Sequence, residues 1–195
     1  MTQSKGNLRR GFKTEAAEIS RELRTELGVA WYGPLSPWRL AEHLAIQVLP
    51  MSHLSKVALR AVRLFSGAEQ SSFSAVTVFD GIRRIIVNND SHSHGRQAND
   101  VSHELSHGLL HHPPSPAIDN RGCRFWDTEI EEEAQWLGAV LLVPDEAALY
   151  IIRNKISIEV ASSEYCVSKR LMTYRLQKSN ARIRVERETK HRSHR

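Results

Sequence analysis

The chain has 195 residues, 41% of them hydrophobic and 25% charged, with a formal net charge of +5. This is long enough for one domain with a real core, and the composition is that of an ordinary globular chain, not a disordered or fibrous one. No apolar run approaches the roughly 20 residues that a membrane-spanning helix needs.

The basic excess is local. Lys169 to Arg195 carry ten Lys and Arg against two Glu, so the rest of the chain is mildly acidic. The N-terminus, MTQSKGNLRRGFKTEAAEIS, is polar and lacks the apolar stretch of a secretory signal. The two cysteines, Cys123 and Cys166, form neither a metal-type pair nor a disulfide framework. The expectation is a reduced, cytoplasmic protein with no membrane partner.

Residues 1–13 read as a flexible arm. Thr14 to Leu27 has helical spacing and Gly28 as a stop. Ser36 and Pro37 suit the cap and first position of a short helix to Leu44. AIQVLP reads as a strand closed by Pro50, and Ser52 to Phe65 as helical. FSAVTVFDGIRRIIVNN is a hairpin signal, with Asp80-Gly81 suited to a tight turn. A helix from Arg96 to His111 follows and stops at Pro113 and Pro114. Another runs from Thr128 to Val143, capped by Asp127 or Thr128, with Pro144 at its exit. Further helices are expected at Asp145–Arg153, Ser157–Glu164 and Ser168–Lys178.

The first long helix contains VSHELSHGLLHH. Its His103 and His107 are four residues apart and share a stripe, so their imidazoles can converge on one ion. Glu104 sits beside the first and points to the ion's open side, where it can accept a proton from water. This is the His-Glu-x-x-His arrangement of zinc peptidases. Ala98, Val101, Leu105 and Leu109 give the helix an apolar face for the core.

A catalytic zinc needs a third protein ligand. A histidine six residues after His107 would fall on Pro113, so that route is closed; His111 and His112 remain nearby, but His111, about one turn further along the stripe, reaches the ion awkwardly. DTEIEEEAQWLGAVLLVP offers a carboxylate instead. Its small and apolar stripe, Ala134, Leu137, Gly138 and Leu141, suits close packing on the histidine helix. Glu131 shares that side, with Glu132 or Glu133 as substitutes if the register differs. Gln135, one turn on, could hydrogen-bond a ligand's far side.

HELSHGLLHH and EIEEEAQWLGAVLLVP resemble the ImmA/IrrE family of zinc metallopeptidases, and the upstream hairpin and RQANDVSHEL are similar too. The resemblance implies an α+β, mainly helical, gluzincin-like fold, with a small antiparallel sheet beside the active-site helix. It implies His103, His107 and Glu131 as Zn2+ ligands, with Glu104 as the base; Mn2+ or Fe2+ would suit the same donors. It also implies a helix-turn-helix repressor as substrate, whose cleavage derepresses genes for stress responses or mobile elements. The chain departs from the family pattern at Gln135, Leu137 and Gly138, where Asn or Asp, Phe and Ala are usual.

The expected organisation is a metallopeptidase domain over 1–155, a helix-turn-helix-like segment over 156–180 and a disordered basic tail over 181–195. In the middle segment Val160, Ala161, Val167, Leu171 and Leu176 would form a shared core. Lys169, Arg170, Tyr174 and Arg175 would face outward, where the basic residues could meet DNA phosphates. The other reading makes these helices a cap on the peptidase domain. The whole-chain alternative is a non-catalytic regulatory protein with a structural metal site that binds DNA or a repressor. Either strand of the hairpin could offer an edge to an extended substrate.

Overall fold

The computed structural model describes residues 8–113 and 127–193. Helix α1 (Phe12–Glu26) begins at Gly11, whose φ of 87° only glycine adopts readily. Phe12 and Ala16 are fully buried, so the part of the expected arm that lies among the described residues is anchored. Ser36 Oγ accepts from Arg39 N to start α2 (Pro37–His43), and β1 (Gln47–Pro50) follows. A 3-10 turn over Met51–Leu54 leads into α3 (Ser55–Ser66), which is kinked at Ala58. The single helix expected over Ser52 to Phe65 is therefore two pieces.

Strands β2 (Ala75–Asp80) and β3 (Arg83–Asn88) pair antiparallel in register Thr77↔Ile86 and Asp80↔Arg83. The turn residues are Gly81 and Ile82, one position later than expected, with Gly81 at φ 60°. β1 adds to β3 in parallel, giving the order β1-β3-β2. The sheet is thus mixed and not purely antiparallel, because α3 and β2 form a crossover between the parallel strands. β2 is an edge strand, whereas β3 is central.

Two long helices follow, α4 (His94–Leu109) and α5 (Thr128–Leu142). Asp127 Oδ1 caps α5 by accepting from Glu129 N and Ile130 N. Val101, Leu105, Leu137, Val140 and Leu141 join Phe12, Leu40 and Ile86 in one core. Gly138 lets the helices approach: a β-carbon there would lie 3.2 Å from His103 N and 3.3 Å from its Cα. Ser102 Oγ donates to the Gly138 carbonyl at 3.0 Å, tying the helices at that crossing. The last carbonyls of α5 are met by buried guanidiniums. Arg24 donates to Leu141 O, and Arg175 to Val143 O, both at 2.8 Å.

The chain continues as α6 (Asp145–Arg153), α7 (Ile158–Glu164), α8 (Lys169–Lys178) and α9 (Ala181–Ser193). Ala147, Ala148 and Ile151 share one core with Ala161, Tyr165, Met172 and Leu176, so packing is continuous across the boundary expected at 155/156. Of the segment expected to be a disordered tail, residues 181–193 form helix α9. Its Ala181 is fully buried, Val185 packs on the same core, and Glu188 pairs with Arg153 at 2.8 Å. No single helix among the described residues is long and apolar enough to cross a membrane.

Candidate metal centre

His103 and His107 lie on the α4 stripe that faces α5, and Glu131 projects from the first turn of α5 toward them. The Nε2 atoms of the two rings are 3.1 Å apart. Glu131 Oε2 lies 3.2 Å from His103 Nε2 and 3.8 Å from His107 Nε2. A tetrahedral ion with bonds of about 2.0–2.1 Å to nitrogen and oxygen separates its donors by roughly 3.3 Å. The three atoms therefore already stand at ligand-to-ligand spacing, and they form a candidate metal-binding group of half-buried side chains. The register of α5 selects Glu131 over its neighbours, since Glu133 is directed at Arg9 and His112.

Glu104, the next residue along α4, turns to the sheet side. Thr77 Oγ1 on β2 donates to its Oε2 at 2.5 Å. It stands outside the three-donor group, with its carboxylate held by the edge strand.

A family model described as the IrrE N-terminal-like domain, Peptidase_M78, matches residues 41–177. The chain belongs to the Peptidase_M78 family. No curated protein matches the chain significantly in sequence. The match spans α2 through α8, so every residue of the candidate centre lies inside the family domain, and only α1 and α9 fall outside it.

Behind the Peptidase_M78 centre stands a residue that sequence reasoning set aside. α4 ends after Leu109, and His111 takes a left-handed φ of 53°. His112 N then donates to the His107 carbonyl at 3.0 Å, and the turn folds the His112 side chain back under the helix. His112 Nδ1 meets His107 Nδ1 at 3.0 Å, while His112 Nε2 lies 3.6 Å from Glu133 Oε2. Arg9 Nε holds the other Glu133 oxygen at 2.8 Å. The outward nitrogen of His107 is thus tied through a second imidazole to a carboxylate, the arrangement that fixes the tautomer of a ligand histidine. The paired histidines after the helix were the available signal; helical geometry alone places neither of them usefully.

Gln135 does not fill that role. It is exposed, and its side chain makes no hydrogen bond to the centre. Burial first, then the electrostatic cost of a second charge beside the His103 ring, hold the His107 imidazole down to about 4, against a smaller upward pull from Glu131. His107 is therefore neutral at physiological pH, the form in which an imidazole binds a metal. Burial also pushes His112 below its usual value, with Glu133 opposing.

The residues read as DNA contacts divide. Lys169 is exposed and pairs with Glu159 at 2.9 Å, and Arg170 is exposed. Arg175 is fully buried, bound to Val143 O and Asp145 Oδ1, so it is removed from any phosphate-binding surface. Tyr174 is half-buried against Trp136. Of the core expected for this helix pair, Ala161, Val167 and Leu176 are buried, but Val160 is 57% exposed and Leu171 only partly buried. Cys166 occupies the turn at φ 54° and is a free thiol, whereas Cys123 lies outside the described residues.

Proposed function

We propose that this Peptidase_M78 chain is a zinc-dependent endopeptidase of narrow specificity that cleaves a helix-turn-helix repressor in the cytoplasm and so derepresses genes. The observation that carries the hydrolytic reading is the convergence of His103 Nε2, His107 Nε2 and Glu131 Oε2 with Glu104 alongside but outside the group. A divalent ion held by those three side chains would supply Lewis acidity to a peptide carbonyl and to water. Zn2+ suits the two-nitrogen, one-oxygen donor set, and Mn2+ or Fe2+ can use it.

The protein's own contributions follow from placement. Glu104 accepts the proton of the attacking water and returns it to the leaving amine nitrogen. Thr77 holds that carboxylate, and strand β2, which has no strand on its outer edge among the described residues, can pair with an extended substrate backbone. The repressor and the compartment rest on family analogy.

The alternative of a structural metal site serving a DNA- or repressor-binding protein gives Glu104 no task. Glu104→Gln separates the readings. The peptidase reading expects zinc content unchanged and cleavage of a candidate repressor, followed by mass spectrometry, lost by at least about 100-fold. Cleavage at the wild-type rate by that variant would refute it.

A further inference from the structure

Arg84 stands on β3 opposite Phe79 of the edge strand, and its side chain passes over α4 at Gly108. A β-carbon at position 108 would fall 1.9 Å from one of its guanidinium nitrogens. The absence of a side chain at Gly108 thus leaves the space that the guanidinium occupies; a larger residue there would require Arg84 to move. The guanidinium lies 5.3 Å from the Phe79 ring centroid. Among the described residues it has no hydrogen bond and no carboxylate partner. The two fully buried arginines among the described residues differ: Arg24 and Arg175 both donate to backbone carbonyls, and Arg175 also pairs with Asp145.

Position matters as much as the missing partner. Gly108 follows Glu104 by one helical turn, on the stripe that faces the sheet. Arg84 thus lies beside the base, on the flank where β2 would align a peptide, and its charge reaches His107. A half-buried guanidinium packed over an aromatic ring, with no carboxylate partner among the described residues, is suited to receive a bidentate anion.

We propose that Arg84 is a specificity-determining residue that receives a substrate carboxylate next to the scissile bond, so that the preferred substrates carry Asp or Glu there. This rests on the peptidase reading of the cleft and adds the substrate chemistry.

The test uses the zinc-loaded full chain and binding, not turnover. Three hydroxamate peptides are compared by calorimetry: one with Asp beside the chelating group, one with Asn there, and one with Asn and a free chain end in place of the amide. The wild type is expected to bind the Asp peptide about tenfold more tightly than the Asn peptide, with the preference abolished in Arg84→Ala and Arg84→Gln and partly kept in Arg84→Lys. Tighter binding that follows the free chain end and disappears in the same variants supports the clamp and assigns it to a terminal carboxylate. Equal affinities in the wild type, or an Asp preference that survives Arg84→Ala, overturn the clamp while zinc uptake leaves the peptidase reading standing. A chain that takes up no zinc overturns both.

Discussion

His107 is held neutral first by burial, and this has a consequence for the metal-free protein. Its pKa is about 4 in the folded chain, against an ordinary value near 6.5. Between those values the unfolded chain holds a proton that the folded chain refuses, so stability falls as pH drops from about 6.5 to about 4. The loss should be on the order of 2–3 kcal/mol. Urea unfolding of metal-free protein across that range should show it, and His107→Gln should flatten that part of the curve; an unchanged slope would speak against a desolvated neutral imidazole. A second residue-scale expectation concerns His112. His112→Ala removes the partner of His107 Nδ1 and should weaken zinc binding about 10–100-fold in a chelator competition, with His112→Gln intermediate. Affinity unchanged in His112→Ala would make the contact incidental. The convergence of His103 and His107 was legible in the sequence because a four-residue spacing puts both on one helix face, and Glu104, the next residue after His103, is turned from that face toward the sheet. His112 was not, since it reaches His107 only through the left-handed turn at His111, and Gln135 was misjudged because its rotation about α5 depends on packing that the periodicity does not fix.

At the scale of elements, the centre depends on how closely α4 and α5 cross. The Gly138 position meets backbone atoms of His103 and Ser102, which cannot rotate away as a side chain can. Gly138→Ala gains helix propensity of up to about 1 kcal/mol. Overpacking against a fixed helix should cost more, about 1–3 kcal/mol. The net expectation is a lower urea midpoint together with weaker zinc binding, since α5 carries Glu131. A variant more stable than wild type would mean that the helices can separate freely. The close-approach stripe of α5 was readable from Ala134, Leu137, Gly138 and Leu141, all of which are buried. The parallel placement of β1 was not readable, because strand order depends on a crossover of α3 and β2 that no local pattern encodes. Arg175 shows the same limit: its spacing marks it as a surface cation, yet the open carbonyl at the end of α5 draws it inside.

Across the whole molecule, the first and last described segments are structural parts. Arg9 reaches Glu133 behind the centre, and α9 covers α6 through Ala181, Val185 and the Arg153–Glu188 pair. Ending the chain after Asn180 should therefore lower Tm by roughly 5 °C or more, at about 2–4 °C per kcal/mol for a chain of this size. No change in Tm would restore the picture of a loose tail. The strongly charged composition of this stretch concealed it, because few apolar side chains are needed to seat a helix against an existing core.

The central claim is that His103, His107 and Glu131 hold one divalent ion with Glu104 beside it. Anomalous diffraction at the zinc edge from zinc-loaded crystals tests it most directly. The account predicts one strong peak about 2 Å from His103 Nε2, His107 Nε2 and a Glu131 oxygen, with the Glu104 carboxylate outside bonding distance. A peak bound by other side chains, one ligated by Glu104 in place of Glu131, or no peak at all would contradict it.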